Sequence, residues 1–97
     1  MDEDQTTAIA TVQIDDDLTR VTEWRFPPGT RTGMHTHELP YVVVPTSTGT
    51  LRVHTADGVV DNVLTPGASY NRPVGSTHDV VNESDEECSF VEVEFKR

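Results

Sequence analysis

A chain of 97 residues has room for one domain, and its seven Lys and Arg against 17 Asp and Glu give a formal net charge of −10. No basic patch is available to neutralise phosphates and no apolar run of about 18 residues is available to span a bilayer, so nucleic acid and membrane are not expected partners. Cys88 is the only cysteine, which excludes a disulfide within the chain, and no basic segment followed by an apolar stretch opens the sequence, so the expected location is the cytoplasm.

In chain order, residues 1–7 read as an acidic tail or as the start of a strand exchanged between subunits. Residues 11–14 form a short, partly apolar strand. Residues 18–26 form a longer alternating one with Trp24 and Phe26 on one face, and Pro27-Pro28-Gly29 stops it. Residues 41–44 read as a buried strand, and a hairpin over 46–49 leads to a strand at 50–55. Asp57-Gly58 is a tight turn into a strand at 59–64, and Pro66-Gly67 is another turn. Residues 69–71 and 78–81 are short strand candidates, separated from the last strand by the acidic loop 83–87. In residues 89–95, Val91, Val93 and Phe95 share one face, and Phe90, Glu92 and Glu94 the other. Eight or nine short strands with turns every 8–12 residues predict an all-β barrel or sandwich formed by residues 1–97 as a single domain. A core this thin commonly gains from a metal or a second subunit, and a homodimer is expected.

Two patterns carry chemistry. His35 and His37 are separated by one residue, so on extended chain both imidazoles leave the same face and reach one ion. The second pattern is Gly67-x5-Pro73-x-Gly75-x2-His78-x3-Asn82. Here the glycines permit sharp turns, Pro73 fixes chain direction, His78 emerges at a strand start, and the Asn82 amide is placed to bond loop backbone.

On these residues the sequence resembles the cupin superfamily. That superfamily carries Gly-x5-His-x-His-x3–4-Glu-x6-Gly and Gly-x5-Pro-x-Gly-x2-His-x3-Asn. The second motif is complete at Gly67, Pro73, Gly75, His78 and Asn82. The first is matched at Gly29, His35, His37 and, with the longer spacing, Gly49. Residues 24–26, Pro28-Gly29, 41–45 and 49–51 are also similar to a group of short bacterial cupins, some of which carry a β-alanine-degradation label. The resemblance implies a jelly-roll β-barrel with a divalent transition metal held by His35, His37 and His78.

The motif glutamate is missing. Its place falls on Tyr41 or Val42, and Gly49 favours Val42. Glu38 is adjacent to His37 and so points to the opposite face of an extended strand. Three neutral imidazoles leave the charge of a divalent ion uncompensated, which makes the site more Lewis acidic and receptive to an anionic or chelating ligand. Fe, Zn, Ni, Mn and Cu all suit such donors. Further candidates for the pocket are Tyr41, Glu38, Trp24, Arg72 and His54. Tyr41 supplies either a phenol near the metal or core packing. Arg72 either binds a carboxylate or pairs at the surface. His54, outside both motifs, reads as an ordinary strand residue or a pocket-lining one. Two functions stay open: a metal-dependent, oxidoreductase-type or hydrolytic or isomerising enzyme acting on a small carboxylate-like or chelating substrate, and a non-catalytic domain that binds or senses a small molecule.

Overall fold

The computed structural model describes residues 6–97, so most of the expected acidic tail lies outside the described residues. Nine strands are present among them: β1 (Ile9–Asp15), β2 (Thr19–Phe26), β3 (His35–Thr36), β4 (Tyr41–Pro45), β5 (Gly49–Thr55), β6 (Gly58–Leu64), β7 (Tyr70–Arg72), β8 (Thr77–Val81) and β9 (Cys88–Phe95). They form a five-stranded sheet, β1-β2-β9-β4-β7, and a four-stranded sheet, β3-β8-β5-β6, in the jelly-roll arrangement. All named pairings are antiparallel. Within this chain β1 pairs with β2, and the stretch before it is anchored where Ala8 N donates to Arg31 O at 2.9 Å.

Register grades the interior from apolar to polar. Directly opposed residues share a face, so Phe26 and Cys88 form one inner pair of the large sheet, and Trp24, Phe90 and Pro45 the next inner row. Thr22, Glu92, Val43 and Tyr70 follow, and then Arg20, Glu94, Tyr41 and Arg72. The small sheet closes the apolar end with Leu51, Val53, Leu64 and Val80. The barrel therefore has a hydrophobic floor and a charged mouth.

The face of β9 that enters the barrel is the one with the carboxylates. Cys88, Phe90, Glu92 and Glu94 are buried, while Val91 and Val93 are only half-buried and Phe95 is exposed. Ordinary patterning would send the valines inward. Here Phe26 pairs with Cys88 at the floor, and period-two alternation then carries Glu92 and Glu94 into the mouth. The outward valines form an apolar row with their cross-strand partners: Ile14, Val21, Val93 and Val42 lie side by side on four strands.

Two motif residues hold the frame. Asn82 is fully buried. Its Nδ2 donates to Phe26 O at 2.8 Å and Glu86 O at 2.7 Å, and its Oδ1 accepts from Ser84 N at 3.0 Å and Ser84 Oγ at 2.7 Å. One side chain thus ties the end of β2 to the acidic loop before β9 with every polar atom satisfied. Gly49 has φ +129°, and a Cβ there would stand 2.6 Å from Cys88 Sγ. β4 and β5 lie in different sheets, so residues 46–49 cross from one sheet to the other rather than forming the expected hairpin, and the glycine lets that crossing pass over the buried thiol. In the acidic turn after β1, Asp16 Oδ1 accepts from Leu18 N and Thr19 N, each at 2.9 Å.

Gly49→Ala is expected to cost about 2–4 kcal/mol, from overpacking and from unfavourable φ together. Adding Cys88→Ala should return the overpacking part and leave the φ part. Denaturant unfolding of the single and double variants measures both, and a double variant no more stable than Gly49→Ala would contradict the close approach.

Candidate metal centre

His35 on β3 stands directly opposite His78 on β8, so their side chains leave the same face. His37 lies just past β3, but its backbone continues the pairing: His37 N donates to Ser76 O at 2.9 Å, and Gly75 N donates to His37 O at 2.8 Å. Alternation then returns His37 to the face of His35. Gly75 turns the chain with φ +96°, a conformation costly for other residues. The β3–β8 pairing is short, and a carboxylate reinforces it. Asp79, buried beside His78, accepts from Gly33 N at 2.9 Å and from Arg31 Nε at 2.9 Å, with Arg31 Nη2 also bonded to it. Arg31 and Gly33 belong to the segment that delivers His35, so this link sets where the first imidazole starts.

The three Nε2 atoms converge. His35 Nε2 is 3.0 Å from His37 Nε2, and His37 Nε2 is 3.1 Å from His78 Nε2. The rings meet edge to face, with interplanar angles of 73°, 74° and 76°. His35 Nδ1 lies 2.8 Å from Gly33 O. A carbonyl only accepts, so the His35 proton sits on Nδ1 and a bare lone pair is left at Nε2. Converging lone pairs on neutral imidazoles suit a cation. For a metal–nitrogen bond of ~2.1 Å, ligands at right angles lie ~3.0 Å apart and ligands at the tetrahedral angle ~3.4 Å. Both measured edges are short enough for the three imidazoles to hold one ion together, with the remaining positions left to other donors.

Burial keeps His37 and His78 neutral: both are pushed down to about 4, first by desolvation and then by the neighbouring His35. The Tyr41 ring stacks on His37 with centroids 4.1 Å apart, and burial followed by the nearby Glu92 pushes its phenol up to about 12. Across the site, Glu92 Oε1 is 3.8 Å from His37 Nδ1. Burial, and then the adjacent Glu94, push Glu92 up to about 7. Arg20 holds Glu94 by two hydrogen bonds, of 2.7 and 3.1 Å.

Two cavities meet at the histidines. The inner one, of about 30 Å³, has Tyr41, Arg72 and Val53 in its wall. It accommodates an ion with a water or two. The outer one, of about 770 Å³, opens past Arg20, Glu38, Glu92 and Glu94. His35, His37, Trp24, Thr32 and Glu92 line both.

The sequence candidates separate accordingly. His35, His37 and His78 come together. Tyr41 and Trp24 line the inner cavity, and so does Arg72, whose guanidinium lies 5.3 Å from the centre of the Tyr70 ring. Glu38 is exposed at the outer rim. His54 lines neither cavity: its Nε2 lies 3.3 Å from Glu83 Oε2, on the side of β5 opposite the cavity-lining Val53. Sequence reasoning missed Glu92, Glu94 and Asp79, while Arg31, a candidate pocket or rim residue in the sequence, is found bonded to Asp79. A signal for the first two existed, since both share a face with Phe90. Nothing local marks Asp79, whose neighbours in space come from a distant segment.

The chain matches the Cupin domain family over residues 22–94. It is 47% identical over 89 residues to "Beta-alanine degradation protein BauB" of Pseudomonas aeruginosa, covering 92% of this chain and 94% of that one. A crystal structure of a cupin domain from Bordetella pertussis Tohama I is 55% identical and superposes with a TM-score of 0.91, covering 94% and 95% of the two chains. The polyketide cyclase RemF from Streptomyces resistomycificus is 22% identical with a TM-score of 0.74, covering 93% of this chain and 66% of that one, and shares the fold.

The buried groups fix a pH dependence for protein freed of metal by chelation. Between about pH 6.5 and 4 the unfolded chain takes up protons on His37 and His78 that the folded chain refuses, so stability falls as pH falls. Glu92 opposes this: between about pH 4.5 and 7 the folded chain holds a proton that the unfolded chain releases. Two histidines outweigh one carboxyl, so stability should decrease from pH 6.5 to 4.5. Glu92→Gln should steepen that decrease. Thermal melts across this range measure both slopes, and a shallower slope in the variant would contradict the assignment.

Proposed function

The chain belongs to the Cupin domain family, and from that premise we propose that it binds one divalent transition metal through His35, His37 and His78 and acts on a small carboxylate-like or chelating substrate. The observation that carries this reading is the convergence of three Nε2 atoms at the junction of a narrow cavity and a wide cleft. A bound ion of this kind supplies Lewis acidity toward a substrate oxygen, or activates water or dioxygen. The donors accept Fe, Zn, Ni, Mn or Cu.

The remaining roles fall to side chains. Tyr41 fixes the His37 ring by stacking. Its phenol keeps its proton near neutral pH, which makes it a hydrogen-bond donor toward a bound oxygen. Arg72 has no carboxylate ion pair among the described residues and lines the inner cavity, so it is the candidate to hold a substrate carboxylate. The relative at 47% identity is named for β-alanine degradation. β-Alanine and related short acids are therefore the first substrates to test.

A non-catalytic small-molecule-binding domain is the second reading. In its favour, the cleft is wide and its floor is a metal ligand set, so a chelating molecule can bind without further machinery. For partners, we propose a homodimer in the cytoplasm. The outward row of Ile14, Val21, Val93 and Val42 and the exposed edge strand β1 are the surfaces available to a second copy.

Protein purified without chelator should carry about one first-row metal per chain, and His78→Ala should carry almost none. Metal analysis by plasma mass spectrometry reads both, and a metal-free wild-type protein that cannot be loaded near neutral pH would end the proposal. With metal loaded, turnover of a short acid supports the enzyme. Tight ligand binding without turnover supports the binding domain.

A further inference from the structure

The missing motif carboxylate leaves three neutral ligands facing a divalent charge. Among the described residues, the carboxylate nearest to this set is not at the motif position but on β9. His37 commits Nε2 to the ligand cluster, 3.0 Å from His35 and 3.1 Å from His78. Its other nitrogen, Nδ1, faces Glu92 Oε1 at 3.8 Å, an ion-pair distance rather than a hydrogen bond. Glu92 clusters with His37 and Glu94, not with His35 and His78, so it stands behind one ligand rather than among the three.

Resting on the metal-site reading above, we propose that Glu92 is the positioning carboxylate of this centre, supplying through the Nδ1 side of His37 the negative charge that the absent motif glutamate would have placed on the metal. The physical basis is general. A histidine bound to a cation through one nitrogen carries a more positive N–H on the other, and a carboxylate there stabilises the charged complex and fixes the tautomer.

Three further features set Glu92 apart from an incidental buried acid. It is 7% exposed and makes no hydrogen bond of regular geometry among the described residues, although the Trp24 indole lies beside it with its own N–H unpartnered there. Its neighbour Glu94 is already saturated by Arg20 through two bonds, so Glu94 and not Glu92 takes the available guanidinium. The cost of burying Glu92 is therefore offset only in part by Trp24 and Arg20, and a cation on the far side of His37 offsets more of it.

The corresponding role for His35 is filled by a neutral acceptor, Gly33 O. Between His35 and His37, it is His37 whose second nitrogen faces a carboxylate.

The test is zinc affinity, measured by competition with a chromophoric chelator, for wild type, Glu92→Gln, Glu92→Asp, Glu38→Gln and His37→Ala. Glu38 gives the control, because its variant removes the same unit charge from the exposed rim of the same cleft. Glu92→Gln should weaken zinc binding about 10–100-fold. Glu38→Gln should change it less than about threefold, and Glu92→Asp, which keeps the charge, should stay closer to wild type than Glu92→Gln does. The melting temperature of metal-free Glu92→Gln near pH 7 should be no lower than that of wild type, which separates charge supply from a merely structural role. If Glu92→Gln binds zinc as wild type does, or no worse than Glu38→Gln, the inference is overturned while the metal site stands. If it loses as much affinity as His37→Ala, Glu92 is a ligand and the inference is also overturned. If wild type binds no zinc, both readings fall. Should Glu92→Gln not fold, Glu92→Leu, which removes the charge at similar volume, is read by the same comparisons with Glu38→Gln and His37→Ala.

Discussion

The centre depends on the pairing of His35 with His78 across β3 and β8. β3 is only two residues long, too short to hold register by its own ladder. What holds it is the Asp79 carboxylate, which grips Gly33 N and Arg31 from a position next to His78. One buried side chain thereby ties the segment that carries one histidine to the strand that carries another. The third histidine follows from alternation and from the Gly75–His37 backbone bond. A slip of one residue would turn His35 out of the site, which is why so short a strand needs a charged tie.

The second constraint is the polarity gradient along the barrel. Phe26, Cys88 and Leu51 close one end so tightly that Gly49 has no space for a Cβ. With that end fixed, strand period dictates that Glu92 and Glu94 enter the other. Folding a thin all-β core with two carboxylates inside is costly unless each finds a use. Arg20 meets Glu94. Among the described residues Glu92 meets only His37 at ion-pair distance, so the buried charge of β9 and the charge demand proposed for a three-histidine site answer the same need.

The succession of most strands and the grouping of His35, His37 and His78 were legible in the sequence, because both rest on short-range rules. Turn residues at 27–29, 57–58 and 66–67 end strands where the structure ends them to within a residue or two, and the spacing around His35, His37 and His78 has a mechanical meaning without any fold. The surroundings of the site were not legible in the same way. The inward face of β9 is set by register with β2 and β4, where Val93 meets Val21 and Val42 on the outside. Within residues 89–95 Phe90 argues for one face and Val91 and Val93 for the other, and the pairing decides between them. Asp79 bonds Arg31 across 48 positions of sequence, a relation visible only once the strands are paired. Arg72 and Tyr41 fall opposite one another across β4 and β7 for the same reason. His54 shows the converse, a histidine whose alternation takes it away from the cavity to Glu83.

X-ray absorption on the metal-loaded protein tests the central claim most directly, because it counts imidazoles at the ion without reference to activity. Zinc- or iron-loaded protein should show three imidazole nitrogens at ~2.0–2.1 Å, the remaining positions filled by light oxygen donors and no sulfur. A spectrum with fewer than two imidazoles, or with a sulfur neighbour from Cys88, would contradict the account.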